Sequence, residues 1–168
     1  MVSTKQIPAL VMGLVSLASA APAAVEVRAE VPEVIPGPGM PSLQSLGLTS
    51  EYLYSLGKPD VPSDEMSILV DPRCSNNYGN VNNAIACYNY LRSLGQRQCG
   101  VPDSQRSIIM CSTGNVRIEG HGIGASSWCE HVAVGVLWTI DHCTRPQQDT
   151  SGFAPAYGNG GLIIYTGS

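Results

Sequence analysis

Two clusters of side chains that could do chemistry stand at the ends of the segment SSWCEHVAVGVLWTIDHC, residues 126–143. The triplet Cys-Glu-His opens it at residues 129–131, and the triplet Asp-His-Cys closes it at residues 141–143. Cysteine, histidine and carboxylate side chains build zinc sites and nucleophilic active sites. The segment could therefore be a catalytic or metal centre, or one helix that disulfides hold at both ends.

A single metal ion cannot join the two triplets if the segment is a helix. A rise of about 1.5 Å per residue separates Cys129 from Cys143 by roughly 21 Å along the axis. Helical zinc sites pair ligands three or four positions apart, as in H-E-x-x-H, and the residue four positions after His131 is Gly135. We therefore expect no metal and no cofactor.

The spacing of the two cysteines favours a structural role for this segment. Fourteen positions turn a helix by about 1400°, which leaves Cys129 and Cys143 within about 40° of one face. Both can face the core and be tied to other elements. Trp128 and Trp138 are expected as core or as cover for the sheet, since large aromatic side chains usually bury their surface.

The amino-terminal residues have the pattern of a secretory signal peptide, residues 1–20. A polar start with Lys5 is followed by an apolar run over 7–17 and the small-residue cleavage pattern Ala-Ser-Ala over 18–20. The apolar run is too short to cross a bilayer comfortably, and no later stretch is long enough. We expect a soluble, secreted, extracellular protein.

The cysteines point to a disulfide framework. All six follow residue 73, and an even number in an exported domain is typical of three bridges. Six cysteines allow 15 pairings, and their spacing does not choose among them. They are Cys74, Cys87, Cys99, Cys111, Cys129 and Cys143.

Composition divides the chain into three parts. After the signal peptide, residues 21–65 are rich in proline and acidic side chains, which predicts a leader or tether that is mostly disordered. Residues 66–168 are expected to form one cysteine-rich α/β sandwich domain. From Cys74 onwards this domain has five acidic and five basic side chains, so we expect no binding to nucleic acid. We also expect a monomer.

Two segments of the domain have helical periodicity. Apolar residues recur at steps of three and four through 80–95, with an asparagine available as N-cap and Gly95 suited to follow the helix. In residues 126–143, Ser127 and Glu130 form the Ser-x-x-Glu pattern of a capping box. The sequence therefore predicts a helix in each segment.

Four short stretches rich in β-branched residues predict strands around these helices. They are residues 67–71, 107–111, 115–120 and 161–167. The resulting order is β-α-β-β-α-β, which is that of a ferredoxin-like α+β fold. We expect an antiparallel sheet with two helices on one face, stapled by disulfides.

The second half of the chain resembles the killer toxin that viruses encode in smut fungi and the related killer-toxin-like effectors of plant-associated fungi. The resemblance rests on CSTGNVRIEG, then SSWCEHVAVGVLWTIDHC, then AYGNGGLIIYTG, within residues 107–166. It implies a ferredoxin-like sandwich, secretion by a fungus and action without enzymatic turnover. It also implies the pairs Cys74–Cys143, Cys87–Cys129 and Cys99–Cys111.

Three functions are compatible with the sequence. The first is a secreted fungal effector or toxin-like protein that binds a host or competitor target outside the cell. The second is a small secreted hydrolase, whose candidate groups are the His121 loop, Asp141 and a loop from Asp149 to Tyr157, although no G-x-S-x-G motif appears. The third is a protease inhibitor that presents the loop Cys99 to Asp103.

Overall fold

The computed structural model describes residues 30–60 and 70–168. The predicted signal peptide, residues 1–20, lies outside the described residues. So do residues 61–69, which contain most of the strand predicted at 67–71. The described residues form a mixed α+β protein with three α-helices, a mostly antiparallel β-structure and three disulfides.

Eight strands and three helices follow one another along the described residues. The strands are β1 Ile35–Pro36, β2 Arg73–Asn80, β3 Gln98–Gly100, β4 Ser107–Thr113, β5 Val116–His121, β6 Ser126–Trp128, β7 Asp149–Ala156 and β8 Asn159–Gly167. The helices are α1 Ser50–Ser55, α2 Val81–Ser93 and α3 Cys129–Cys143, with one 3₁₀ turn at Gln44–Leu46. The two predicted helices are confirmed within two residues at each end, except that α3 begins three residues later than predicted.

Six strands form one antiparallel sheet in the order β1-β4-β5-β8-β7-β2, and β3 pairs with β6 in a small second sheet. This order departs from the ferredoxin-like prediction. A ferredoxin-like sheet places its first strand in the interior. Here β2, the first of the longer strands along the chain, lies at an edge of the sheet, and β8 lies between β5 and β7.

Two features of local sequence explain why this order was not predicted. Strand β7 has the sequence DTSGFAPA, which lacks the apolar alternation of a strand and was expected to be a loop. Strand β2 is largely polar, and its pairing with β7 is interrupted between Cys74 and Gly79. Because β2 has no neighbour on its outer side, its polar side chains do not need to be buried.

Helices α2 and α3 pack against each other and against the same face of the sheet. The core lies between these two layers, and β5 and β8 contribute alternate residues to it. Gly135 allows α3 to lie close to β7, since a Cβ at this position would be 2.9 Å from the carbonyl oxygen of Pro155. The contributions of β5 and β8 are Val116, Ile118, Leu162 and Ile164.

The two helices begin differently. The side chain of Asn80 accepts a hydrogen bond from the amide of Asn82, at 2.9 Å, so α2 has the predicted asparagine cap. The capping box predicted for α3 is absent, because the N-cap residue is Trp128 and makes no side-chain cap. Backbone carbonyls accept instead from the amides of Cys129 and Glu130.

The described part of the predicted leader is ordered, so the expectation of a mostly disordered tether is wrong for residues 30–60. Val34 and Leu53 are buried in the main core. Strand β1 pairs with the edge strand β4, and α1 packs on α2. The prolines here end local elements without preventing packing, because apolar residues between them reach the core.

The disulfides are Cys74–Cys143, Cys87–Cys111 and Cys99–Cys129. The first is the pair that the resemblance implied. The implied pairs Cys87–Cys129 and Cys99–Cys111 are wrong. Cys87 on α2 instead faces β4 beneath it, and β3 lies beside β6, which brings the Cα atom of Cys99 within 5.0 Å of that of Cys129.

Candidate functional site

A cleft of about 400 Å³ opens at the amino end of α3. Residues from β3, from β6, from the first turn of α3 and from the turn between β7 and β8 form its wall. Its volume lies within the range of small-ligand sites in proteins. The lining residues are Gln98, Ser126, Ser127, Trp128, His131, Tyr157, Gly158 and Asn159.

Backbone pairing and one disulfide position the first wall of the cleft. The register of β3 with β6 sets Gln98 opposite Trp128. The Cys99–Cys129 disulfide joins β3 to the first residue of α3, immediately after that pair. This wall is therefore held by both hydrogen bonds and a covalent link.

The turn between β7 and β8 supplies another part of the wall. The amide of Tyr157 donates to the carbonyl oxygen of His131 at 3.1 Å, which ties the turn to α3. Gly158 has a φ of 68°, a backbone conformation that favours glycine. The turn thus presents Tyr157 towards α3 at a fixed position.

Three aromatic rings from different elements surround the cleft. Trp128 is 45% exposed and Tyr157 is 39% exposed. The rings of His131 and Tyr157 meet edge to face with their centres 5.2 Å apart. Exposed aromatic side chains of this size carry apolar surface that a partner can bury.

Hydrogen bonds of the lining side chains, with one another and with the backbone, hold the cleft together. The side-chain amide of Gln98 donates to Ser126 Oγ at 3.0 Å. The side-chain amide of Asn159 donates to the carbonyl oxygen of Ser126 at 2.5 Å. The side-chain oxygen of Asn159 accepts from the amide of Gly161. Ser127 Oγ lies 3.4 Å from His131 Nδ1.

The lining of the cleft is poor in charged side chains. No aspartate, glutamate, lysine or arginine is among its lining residues. An anionic or cationic ligand would therefore lose hydration there without gaining an ion pair from the lining. The site is suited to neutral ligands that have both polar and apolar surface.

A second notable surface is the outer face of the sheet, opposite the helices. The guanidinium carbon of Arg73 lies 5.3 Å from the centre of the Phe153 ring, and that of Arg117 lies 6.0 Å from the centre of the Tyr165 ring. The Phe153 and Tyr165 rings are 4.9 Å apart. Arg117 also pairs with Glu119 at 2.5 Å. This face is a packed layer of cation–π contacts, and the concavity beside Arg73 and Phe153 measures about 90 Å³.

The candidate residues of the hydrolase alternative do not come together. His121 lies at the end of β5 on the outer sheet face, where its Nε2 is 3.2 Å from Glu119. Asp141 lies near the carboxyl end of α3 and pairs with Lys58 at 2.5 Å. The predicted loop from Asp149 is strand β7, and only its last residue, Tyr157, lines the cleft.

The segment Cys99 to Asp103 is not a projecting loop. Its first residues are in β3, and the amide of Val101 donates to the carbonyl oxygen of Ala125 at 2.8 Å. Val101 is 3% exposed. Val101 is therefore not accessible to a protease, whereas Pro102 and Asp103, which follow it, are exposed.

Two further features are absent from residues 30–60 and 70–168. No group of three histidine, cysteine, aspartate or glutamate side chains there is placed to hold a metal ion. No described helix is both long and apolar enough to span a membrane.

A family model described as a domain of unknown function (DUF8794) matches residues 70–166. The chain belongs to this family. No curated protein and no solved structure matches it. The family domain contains all six cysteines and every residue that lines the cleft, whereas β1 and α1 lie outside it.

Sequence reasoning missed the cleft for identifiable reasons. Trp128 was expected to be core or cover, but it stands at the helix N-cap with nearly half its surface exposed. The contact between His131 and Tyr157 joins residues 26 positions apart, so the sequence around His131 does not indicate it. One local signal was available. The sequence Ser-Ser-Trp lies directly before a helix, where a large aromatic side chain does not belong to the buried face of that helix.

Proposed function

We propose that the protein is a secreted effector or toxin-like protein that binds a target outside the cell and does not turn it over. The observation that carries this proposal is the uncharged cleft at the amino end of α3, with two exposed aromatic side chains at its rim. Binding sites are enriched in tryptophan and tyrosine that gain burial from the partner. Three disulfides in a small domain are typical of extracellular proteins and are consistent with secretion.

A relation to the fungal killer toxins is part of this proposal. The segments that carry the resemblance correspond to β4, β5, α3 and β8, which form one half of the sheet and the helix packed on it. The sheet order seen here offers a structural test. In this protein the last strand, β8, lies between β5 and β7. A killer toxin of this kind whose last strand has the same two neighbours would support the relation, and one with the ferredoxin-like order would count against it.

The test of the proposal uses the oxidised, purified full chain and extracellular fractions from a plant host and from competing fungi. We expect saturable binding to at least one fraction, and we expect Trp128→Ala and Tyr157→Ala to reduce it at least tenfold. Tyr52→Ala is the matched control, because Tyr52 is an exposed aromatic residue on α1, outside the family domain and the cleft. Binding that is unchanged in both cleft variants would contradict the proposal.

A hydrolase is the second candidate, because the cleft contains a serine and a histidine in contact. Ser127 Oγ and His131 Nδ1 are 3.4 Å apart, which is within the loose geometry seen in unliganded active sites. Among the described residues, the ring partner of His131 is Tyr157 rather than a carboxylate. Hydrolysis of model esters or glycosides that is abolished in Ser127→Ala and retained in Ser126→Ala would favour this candidate over pure binding.

A further inference from the structure

The chemistry of the cleft also indicates which class of target it takes. We propose that the cleft at the amino end of α3 binds a neutral oligosaccharide. This inference rests on the proposed function and specifies the ligand of the same site. It follows from four features of the cleft: its charge, its exposed rings, its polar groups and the neighbouring strand edge.

The charge of the lining selects against ionic ligands. No lysine or arginine lines the cleft that could neutralise a phosphate, a sulfate or an acidic sugar, and no carboxylate lines it that could pair with an amine. An ion that enters such a site loses hydration without compensation. Neutral sugars are desolvated at a much lower cost, since their hydroxyl groups carry no net charge.

The exposed rings match the shape of a sugar. One face of a pyranose ring presents several C–H bonds, which shed water when they lie flat on an aromatic ring. Trp128 and Tyr157 offer such rings at the rim, at 45% and 39% exposure. Both side chains also have a polar end that can hydrogen-bond at the edge of the sugar. Two such rings in one cleft offer two faces to one sugar chain.

The polar groups of the cleft match sugar hydroxyls. A hydroxyl group donates one hydrogen bond and accepts others, so it is best met by groups that can do both. The side-chain amide of Gln98, the hydroxyl groups of Ser126 and Ser127, and the imidazole of His131 all have this property. Gln98 already bonds to Ser126, and Ser127 to His131, but each of these groups has a further donor or acceptor that a purely apolar ligand could not meet.

A peptide is the competing occupant, and the strand edge beside the cleft disfavours it. Peptides commonly bind by adding a strand, which requires free backbone donors and acceptors. On the side of β6 that does not pair with β3, a backbone acceptor is already in use. The Ser126 carbonyl oxygen accepts from the side-chain amide of Asn159. A sugar chain needs no such backbone pairing.

The experiment uses the oxidised full chain with Trp138→Phe, which leaves Trp128 as the reporting tryptophan. Its fluorescence is titrated with hexamers of β-1,4-linked N-acetylglucosamine, β-1,4-linked glucose, β-1,3-linked glucose and β-1,4-linked mannose. A galacturonate hexamer and a neutral serine- and glycine-containing hexapeptide are the comparison probes. Calorimetry with the unsubstituted chain gives the same affinities without the Trp138→Phe change.

We expect at least one neutral hexamer to bind saturably and shift the Trp128 emission, and to bind at least tenfold more tightly than galacturonate or the peptide. Tyr157→Ala should weaken that binding at least tenfold, Trp128→Ala should do the same by calorimetry, and Tyr52→Ala should leave it unchanged. Thermal unfolding and disulfide mapping establish that each variant is folded, and Trp128→Tyr, which keeps an aromatic ring, should retain part of the affinity.

Two results would overturn the inference. The first is no saturable binding of any neutral hexamer at millimolar concentration, and the second is tighter binding of the peptide. The failure of this inference is distinguishable from that of the proposed function. If Trp128→Ala abolishes binding to an extracellular fraction and periodate oxidation of that fraction does not, the target is not a sugar and the cleft is still the binding site.

Discussion

At the scale of single residues, the contacts that hold the ends of α3 differ from those that the cleft uses. At its carboxyl end, Arg145 forms two hydrogen bonds to Asp149, at 2.8 and 2.7 Å. Its guanidinium also lies 3.3 Å from the centre of the Tyr78 ring. The hydrogen bonds from Arg145 lower the pKa of the Asp149 carboxyl, and those to Asp149 raise the pKa of Arg145. This cluster fixes the turn that leads from α3 into β7.

The lowered pKa of Asp149 predicts a pH-dependent contribution to stability. Because the charged form is favoured in the folded state, the contribution is present above the ordinary pKa of 3.8 and is lost as the pH falls through the lower folded value. We expect Asp149→Asn to lower the thermal midpoint at pH 7, and the difference from the unsubstituted chain to shrink below about pH 4. Thermal unfolding from pH 2 to pH 7 measures this difference.

The matched control for this prediction is Asp103→Asn, since Asp103 is exposed on another loop. It should have little effect on the midpoint at any pH. A difference between Asp149→Asn and the unsubstituted chain that grows on acidification would contradict the assignment of the Arg145 contact as stabilising.

At the scale of elements, α3 is the piece around which the rest is arranged. It packs on α2, on β7 and on β8, and it carries one cysteine at each end. Its interior glycine is unfavourable for an isolated helix by about 1 kcal/mol relative to alanine. The neighbouring strands explain its presence, because Gly135 faces Pro155 and Ile164 at close range.

We therefore expect Gly135→Ala to destabilise the protein even though alanine is the better helix former. The added Cβ would lie 2.9 Å from the Pro155 carbonyl oxygen and 3.2 Å from a side-chain carbon of Ile164. The cost should be about 1–3 kcal/mol, as for other overpacked interiors. Denaturant unfolding measures it, and a gain in stability of about 1 kcal/mol would show that α3 lies farther from the sheet.

The amino-terminal segment outside the family domain behaves as an integral element. Tyr54 on α1 hydrogen-bonds with its hydroxyl to Asn83 and Thr113, at 2.7 and 2.9 Å. The side-chain amide of Asn89 donates to two carbonyl oxygens of the segment, and the Tyr90 hydroxyl donates to a third, that of Pro41. Its removal would leave several buried polar groups of the domain without partners, each at a cost of about 1–3 kcal/mol.

Leu53 tests the contribution of this segment by a single substitution. Leu53 is 0% exposed, and we expect Leu53→Ala to cost about 2–5 kcal/mol of unfolding free energy through the lost burial and the cavity left behind. Leu56→Ala is the matched control, because Leu56 follows the same helix and is 50% exposed. If both substitutions had equally small effects in denaturant unfolding, the segment would not be part of the cooperative fold.

At the scale of the whole molecule, the three disulfides join different pairs of elements. Cys87–Cys111 fastens α2 to the sheet, and Cys99–Cys129 fastens the small sheet to α3 beside the cleft, with both sulfur pairs buried. Cys74–Cys143 joins the edge strand β2 to the end of α3 and spans 69 positions, the longest separation of the three. Cys74 is exposed.

We expect mild reduction of the folded protein to open Cys74–Cys143 first, because a reductant can reach Cys74 without unfolding the core. Brief treatment with dithiothreitol, alkylation and peptide mass spectrometry should label Cys74 and Cys143 before the other four cysteines. The double variant Cys74→Ser and Cys143→Ser should lose at most about 4 kcal/mol of stability from the released loop. Earlier labelling of Cys87 and Cys111 would contradict this order.

Some properties of this protein were determined by short stretches of sequence. The helices α2 and α3 and the strands β4 and β5 follow from local periodicity and β-branched composition, which act over a few positions. The number of disulfides follows from the even cysteine count in a chain with the features of an exported protein. Each of these depends on neighbours along the chain, and each was predicted from the sequence.

Other properties were decided only by the tertiary structure. Strand β7 has no apolar alternation of its own and forms because β2 and β8 supply hydrogen-bond partners on both sides. The pairings of Cys87 and Cys99 depend on which elements lie beneath them. The cleft joins Trp128 to Tyr157, residues 29 positions apart, and its existence depends on how the β7–β8 turn packs against α3. Such long-range packing depends on which surfaces bury one another, and no short window of sequence contains that information.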